Sequence, residues 1–231
     1  MNKTKSILML AIFIALAFTF SCFSPDDDNG GDLSSSSGSS DSGAAPSPCP
    51  NAVTSDDSVS CGGQTYKTVQ IGDQVWMAKN LNYNVRGSKC YGNAESNCNK
   101  YGRLYGWETA KKVCPAGWHL PSNDDWLELV SYVDSINVCG CAGKLLKAKN
   151  GWSSDSNGTD KYGFSALPGG YGHSYSGIDS YNNVGDFGNW WTVSEYDSLN
   201  AYYRYMHYTG EYVSEGRTGK DLLQSVRCVQ D

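Results

Sequence analysis

The chain has 231 residues, of which 39% are hydrophobic and 18% charged, and its formal net charge is −6. This length is sufficient for a domain with a substantial hydrophobic core. The acidic balance, without a basic stripe that would neutralise phosphates, argues against nucleic acid as a partner.

The first 21 residues have the composition of an export signal. Lys3 and Lys5 precede an apolar run over residues 7–20, which is shorter than the about 20 residues of a membrane-spanning helix. We therefore predict a cleaved signal peptide over residues 1–21. Cys22, preceded by the small Ser21 after this run, resembles the lipobox of bacterial lipoproteins, which implies a lipid-anchored protein of the cell envelope, at the outer membrane or cell surface. Ordinary secretion is the alternative.

Residues 22–48 follow this signal, and from residue 26 they are almost entirely Asp, Ser, Gly, Ala and Pro. Such a segment has too little apolar surface to offset its ordering entropy. We predict a disordered tether, with a reach of roughly 25 to 30 Å, between the anchor and a single globular domain over residues 49–231.

The cysteine count supports export independently. Without Cys22, an even set of eight remains, and eight cysteines in an exported chain indicate disulfides, with 105 alternative pairings. A zinc site is the competing interpretation, but a single glycine between Cys139 and Cys141 is a shorter gap than zinc motifs have. The eight are Cys49, Cys61, Cys90, Cys98, Cys114, Cys139, Cys141 and Cys228.

The first half of the domain carries one hairpin signal and two helix signals. Residues 66–71 and 75–81 flank a Gly-containing connection and are predicted to form a β-hairpin. Apolar spacing predicts a first helix over about residues 102–113. Ser122 and Asp125 form a capping box, which predicts the start of a second helix.

The second half alternates short aromatic or β-branched runs with Gly and Asn, which predicts strands. Helices followed by strands indicate an α+β domain with long loops held by disulfides. The predicted strands cover residues 162–167, 190–193, 201–208, 211–214 and 222–229.

Four ordered motifs together resemble a known family. They are VQIGDQVWMAKNL at residues 69–81, YGRLY at 101–105, CPAGWHLPS at 114–122 and SVRCV at 225–229. With these motifs the chain resembles the Fibrobacter succinogenes major paralogous domain over residues 61–231. The resemblance implies an exported protein, often a lipoprotein, from a family without an established biochemical role.

The same motifs are more distantly similar to the C-type-lectin fold of the formylglycine-generating enzymes. This similarity implies a C-type-lectin-like domain with two helices, a twisted, mainly antiparallel sheet and long disulfide-stapled loops. It also implies a disulfide between Cys114 and Cys228. From spacing alone, Cys90 and Cys98 are expected to form a local bridge, because a short gap rich in Asn and Gly closes easily.

The remaining four cysteines do not pair unambiguously. A Cys49–Cys61 bridge is the first interpretation, and it leaves Cys139 and Cys141 to each other. The strain of that small ring keeps a crosswise pairing open.

The lectin-like fold is associated with two kinds of chemistry. The sequence lacks the motifs with which such domains bind sugar through calcium, so the nearest calcium ligands are loop acids, chiefly Asp179 and Asp186, whose alternative role is loop solvation. An oxidase like the formylglycine-generating enzymes needs a reactive pair of cysteines near the carboxyl-terminal end of the domain. Cys228 is the one cysteine in that part of this sequence. We therefore expect no cofactor, with calcium as the one candidate ion.

Aromatic residues are the strongest functional signal, with seven Trp and sixteen Tyr in the chain. Such rings stack on sugars or dock partner proteins, although filling the core is the alternative. Alternation over residues 201–208 places Tyr203, Tyr205 and His207 on one face of a strand. In the loops between about residues 169 and 197, the predicted ligand-binding residues are Tyr171, Tyr175, Tyr181, Trp190, Trp191 and Tyr196.

These observations favour a surface-displayed, non-catalytic binding module, with carbohydrate or a neighbouring envelope protein as its partner and the membrane reached through the lipid anchor. A structural envelope protein without a small-ligand site is the alternative. An oxidase of the formylglycine-generating type is the third hypothesis.

Overall fold

The computed structural model describes residue 49 and residues 52–231. They fall in one compact unit, Ser42–Asp231, and form the α+β arrangement that the sequence predicts. No helix among these residues has the length and apolar character needed to cross a bilayer. The predicted signal peptide, Cys22 and the tether to residue 48 lie outside the described residues.

The described chain contains four α-helices instead of two. The longest begins after Ser122, whose Oγ accepts from the Asp125 N–H (3.1 Å) while the Asp125 carboxylate accepts from the Ser122 N–H (2.7 Å), as the capping box predicts. The helices are α1 (Glu95–Tyr101), α2 (Trp107–Ala110), α3 (Asn123–Asn137) and α4 (Ala142–Leu146).

The predicted helix over residues 102–113 is mostly wrong. Gly102 has φ of 79° and Gly106 is extended, so α2 is confined to a single turn between Trp107 and Ala110. Leu104 and Tyr105 instead form strand β5, which pairs with a strand near the end of the chain. A distant strand therefore decides the conformation of these two residues.

A first sheet has the strand order β1-β2-β3-β4-β13-β6. It includes the predicted hairpin, β3 with β4, in which Ile71 pairs with Gln74 across a turn at Gly72 and Asp73. Gly72 has φ of 65°, which favours glycine. The strands are β1 (Val53–Ser55), β2 (Ser58–Cys61), β3 (Gln64–Ile71), β4 (Gln74–Met77), β6 (Trp118–His119) and β13 (Val229–Gln230).

A second sheet has the order β11-β10-β9-β12-β7-β8, with β5 also paired to β12. Its strand pairs are antiparallel except β12 with β9. The strands are β5 (Leu104–Tyr105), β7 (Tyr171–Tyr175), β8 (Ile178–Asn182), β9 (Phe187–Glu195), β10 (Asn200–His207), β11 (Ser214–Gly219) and β12 (Leu222–Ser225).

Three of the predicted strands differ from the structure. Residues 162–167 form a loop that touches a neighbour through one Lys147–Ala166 bridge. Residues 211–214 contribute only Ser214 to β11, and residues 222–229 divide into β12 and β13, which belong to different sheets. The β7–β8 hairpin was not predicted, because Gly, Ser and Asn interrupt its aromatic residues.

A buried polar group joins the two sheets. Asn80, which follows β4, accepts hydrogen bonds at Oδ1 from Trp190 Nε1 (2.8 Å) and Arg227 Nη2 (2.7 Å), and its Nδ2 donates to the Tyr101 carbonyl (2.8 Å). Arg227 also donates to the Phe164 carbonyl. Burial of the Arg227 guanidinium lowers its pKa to about 9.

The described chain contains four disulfides, so the prediction of disulfides is confirmed. They are Cys49–Cys61, Cys90–Cys98, Cys114–Cys228 and Cys139–Cys141. Cys114–Cys228 is the pair that the similarity implied and Cys90–Cys98 the pair expected from spacing, whereas the other two bridges are the first of the two pairings left open. The crosswise pairing is not the one in the structure. Cys114–Cys228 joins the segment after α2 to the residue before β13 and spans 114 residues.

Removing Cys114–Cys228 by a double substitution to alanine is expected to lower the free energy of unfolding by about 4–5 kcal/mol in the chain-entropy model. The matched control is removal of Cys139–Cys141, with a sequence separation of 2, for which the same model predicts about 1.5 kcal/mol. Urea unfolding without reductant measures both. Equal losses from the two variants would contradict the prediction.

Candidate functional site

The second sheet presents one face to the core and leaves part of the other face open. In β10, Arg204 and Met206 are 5% and 0% exposed, whereas Tyr203 and Tyr205 on the opposite face are half-buried. Alternate residues of a strand point to opposite faces. The open face is therefore the one on which alternation placed Tyr203, Tyr205 and His207.

Four rings form an aromatic row across β9 and β10: Tyr203, Tyr205, Phe187 and His207. The ring centroids of Tyr203 and Tyr205 lie 5.7 Å apart, those of Tyr205 and Phe187 6.0 Å, and those of Phe187 and His207 4.4 Å. Phe187 and His207 are direct cross-strand partners. Such pairs stabilise a sheet and hold the rings in fixed positions.

Beside this row lies a groove of about 260 Å³. Among the described residues, those that line it include aromatic, amide, hydroxyl and aliphatic side chains and no charged side chain. We call it the uncharged groove. Its lining residues are Tyr171, Asn183, Phe187, Asn189, Tyr203, Thr218, Leu222 and Gln224.

Two amides are almost fully buried in the wall of the uncharged groove. Asn189 is 4% exposed and Gln224 is 2% exposed. Gln224 Oε1 has no hydrogen-bond partner within the described chain. Leaving a buried acceptor unpaired costs about 1–3 kcal/mol. A hydroxyl donor in the groove would relieve that cost after a small rotation of the amide.

Gly216 of β11 determines where the Tyr203 ring lies. The two residues are cross-strand partners, and a Cβ at Gly216 would lie 2.5 Å from Tyr203 Cζ. The ring therefore occupies the space that any other residue would fill. Burial, followed by the nearby phenols of Tyr205 and Tyr171, raises the pKa of Tyr203.

Two of the predicted ligand-binding residues are in the core, so their prediction as surface residues is wrong. Trp190 and Trp191 are both 0% exposed. Trp190 Nε1 donates to Asn80, and Trp191 Nε1 donates to the Tyr105 carbonyl (2.8 Å). Strand β9 lies inside the second sheet between β10 and β12, and neighbouring elements cover both of these indoles.

The four predicted tyrosines do not converge on one site. Tyr171 lines the uncharged groove. Tyr175 is 70% exposed and stacks on His173, while Tyr196 packs against Tyr202. Tyr181 contacts the ring of Tyr91 and donates to Asn93 Oδ1 (2.7 Å).

The sequence did not point to most of the groove residues. Five of them come from three strands, β9, β11 and β12, which strand pairing brings together in the second sheet. They are Phe187, Asn189, Thr218, Leu222 and Gln224. The one available signal was the alternation in β10, which identified the face of the strand but not its neighbours.

Asp179, one of the two calcium candidates, is already paired. Its Oδ2 lies 3.0 Å from Lys89 Nζ, and a hydrogen bond from Ser174, followed by that from Lys89, lowers its pKa to about 2. Asp186 lies at the turn before β9, where its N–H donates to the Asn183 carbonyl. Neither acid belongs to a group of three metal-ligating side chains within the described chain.

The cysteines of the described residues are all in disulfides, including Cys228. The one described cluster with a metal-ligand composition, Cys90, Glu95 and Cys98, contains a bonded pair of sulfurs. A disulfide sulfur is neither a thiolate ligand nor a nucleophile. The structure thus removes the late cysteine on which the oxidase hypothesis depended.

The carboxyl group of Asp179 is expected to titrate near pH 2, below the 3.8 of an unperturbed aspartate. Because the folded-state pKa is lowered, its contribution to stability is present above about pH 4 and is lost as the pH falls toward 2. Lys89→Met and Ser174→Ala are each expected to raise the pKa, and Lys112→Met is the control. Carbon-detected NMR measures the titration, and an unchanged midpoint in both variants would refute the assignment.

Comparison with known proteins and protein families identifies the family of the chain. No curated protein and no solved structure matches the chain. The family model described as the Fibrobacter succinogenes major domain matches residues 69–230, which is more than half of the chain. The four sequence motifs, the single α+β unit and this match agree, and the protein belongs to the Fibrobacter succinogenes major domain family.

Proposed function

We propose that the protein is an exported lipoprotein, anchored through Cys22, that displays a non-catalytic carbohydrate-binding module. The uncharged groove is the proposed sugar site. One observation carries this proposal: an aromatic row borders a groove that has no charged lining residue among those described, with the unpartnered Gln224 Oε1 in its wall.

The groove matches the chemistry of a neutral polysaccharide. A sugar ring has apolar C–H faces that pack on aromatic rings, and Tyr203 and Phe187 supply such rings. Its hydroxyl groups are donors that suit the acceptors of Asn189 and Gln224. A charged ligand would enter this groove without a counter-charge from its lining, which is unfavourable.

The proposed binding does not use a metal. Asp179 is held by the Lys89 ammonium, and the uncharged groove lacks a carboxylate among its described lining residues. Calcium in proteins is bound by several oxygen ligands, usually with carboxylates among them. Binding is therefore expected to persist in a chelator.

We also propose that the domain has a C-type-lectin-like fold. The Cys114–Cys228 disulfide supports this, because it links the segment after a short helix to the residue before the last strand, much as a helix cysteine pairs with a last-strand cysteine in that fold. The residues before the domain support display on the cell envelope, since a tether over residues 22–48 would hold the module away from a lipid-anchored Cys22.

Tyr203→Ala is expected to weaken binding of a neutral polysaccharide about tenfold, because loss of about 1.4 kcal/mol of aromatic contact changes the dissociation constant by that factor. The full-length protein in detergent is titrated with soluble glucan, xylan and mannan chains, with and without calcium and chelator. The control is Tyr212→Ala, an exposed tyrosine that does not line the groove.

Gly216→Val gives a second test, because its side chain would displace the Tyr203 ring while leaving the phenol in the protein. It is expected to weaken binding as much as Tyr203→Ala. If none of the neutral polymers binds, or if Tyr212→Ala has the same effect, the uncharged groove is not a sugar site and the structural envelope role becomes the better explanation.

Cys22→Ser is expected to abolish labelling by radioactive palmitate and to move the protein from the membrane fraction to the soluble fraction. A single acyl chain binds membranes weakly, so stable anchoring requires the several chains that a lipoprotein cysteine carries. The control is Cys139→Ala/Cys141→Ala, which should label normally. Labelling that persists in Cys22→Ser would exclude this anchor.

A further inference from the structure

A second and larger concavity lies elsewhere on the domain. It has a volume of about 860 Å³ and lies between β3, the segment after β4, the end of α1 and the loops around residues 148–150 and 160–167. It shares no described lining residue with the uncharged groove. We call it the lysine cleft, because Lys67, Lys79, Lys100 and Lys149 line it.

The charge of the lysine cleft is opposite to that of the chain. All four lysines are exposed, in a protein whose net charge is −6. Over residue 49 and residues 52–231, none of the four forms an ion pair with a carboxylate. Lys100 Nζ lies 4.7 Å from the centroid of the Tyr101 ring, a cation–π contact that supplies no negative counter-charge.

The one acid among the described lining residues does not neutralise these lysines. Asp160 accepts hydrogen bonds from the N–H and hydroxyl of Ser165. Its charge also acts on Arg227, which is 1% exposed and carries a positive charge of its own. Asp160 is thus engaged within its own loop, and over the described residues none of the four lysines forms an ion pair with it.

An independent observation comes from Asn82, which lines the lysine cleft. Its side chain is nearly buried, at 8% exposure, and within the described residues its Oδ1 has no hydrogen-bond partner. Buried amide oxygens are normally paired. A ligand that carries a donor beside its negative charge would satisfy both Asn82, after a small rotation of the amide, and the lysines.

Acidic sugars combine these two features, since their carboxylate or sulfate groups stand next to hydroxyl donors. A membrane surface fits less well, because Tyr175, Ile178 and the other large exposed apolar side chains of the described chain lie outside the lysine cleft. A nucleic acid would meet the overall repulsion of an acidic protein, and a DNA backbone presents no hydroxyl donors.

We propose that the lysine cleft binds an anionic polysaccharide, with its acidic groups on Lys67, Lys79, Lys100 and Lys149 and a sugar hydroxyl on Asn82. The volume of about 860 Å³ lies within the range of ligand sites. The site is separate from the uncharged groove and differs from it in ligand class. The chain thus has one concavity for a neutral sugar and one for an acidic sugar.

The test titrates the full-length protein in detergent with polygalacturonate, which is carboxylated, and with dextran sulfate, with dextran as the neutral probe. We expect the lysine cleft to bind at least one of the two anionic polymers. We expect it not to bind dextran. Affinity should fall steeply with salt, because about 1 M salt shortens the screening length to about 3 Å. The two anionic arms distinguish carboxylate from sulfate as the recognised group.

Lys67→Gln/Lys149→Gln is expected to weaken binding about tenfold and to reduce its salt dependence. The matched control, Lys112→Gln/Lys144→Gln, removes the same charge outside the cleft and should change affinity less than twofold. Asn82→Ala should weaken binding while leaving the salt dependence unchanged. Circular dichroism and thermal unfolding confirm that each variant is folded.

Failure of this proposal is distinguishable from failure of the proposed function. Tyr203→Ala should leave polygalacturonate binding unchanged, and Lys67→Gln/Lys149→Gln should leave neutral glucan binding unchanged. The proposal is overturned if neither anionic polymer binds, if the control double variant has the same effect as the cleft variant, or if double-stranded DNA binds through the same lysines as tightly as the acidic polysaccharides.

Discussion

The side-chain amide oxygen of Asn80 is the group on which much of the structure depends. It accepts from Trp190 of the second sheet and from Arg227, which lies between the last strands of the two sheets, while the amide nitrogen holds the end of α1. A buried guanidinium is costly unless its donors are paired. The chain therefore has to bring the segment after β4, the strand β9 and the carboxyl-terminal segment together at one point, and Cys114–Cys228 fastens that last segment to the chain after α2.

All seven tryptophans are buried, and one of them, Trp190, donates a hydrogen bond to this junction. The ring centroids of Trp76 and Trp126 lie 5.1 Å apart and those of Trp126 and Trp190 lie 5.9 Å apart. These rings belong, together with Met206, to one buried cluster. The tyrosines of β10 then fall on the opposite side. Tyrosine suits a half-buried position, because its ring packs while its hydroxyl stays in water. The half-buried tyrosine rings of β10 therefore lie on the face of the second sheet opposite Trp190 and Met206.

Local signals in the sequence were sufficient where the interacting residues are neighbours in the chain. The capping box at Ser122 correctly placed the start of α3, and the Gly72 turn correctly placed the β3–β4 hairpin. The helix over residues 102–113 failed because β12 pairs with Leu104 and Tyr105. Trp190 and Trp191 were predicted at the surface because composition shows that aromatic residues are abundant but not which of them are covered.

The sequence by itself determined the α+β class, the family and the even set of cysteines in the domain. It also determined the face of β10 that carries Tyr203 and Tyr205. Each of these follows from composition, from residue spacing or from the two-residue period of a strand. Only the tertiary structure decided which residues line the uncharged groove and the lysine cleft. Gln224 and Tyr203 line one groove, and four lysines from separate elements line one cleft, only after strands and loops distant in sequence are packed together. No local rule specifies such contacts, since they depend on how the whole chain satisfies its buried apolar and polar groups at once.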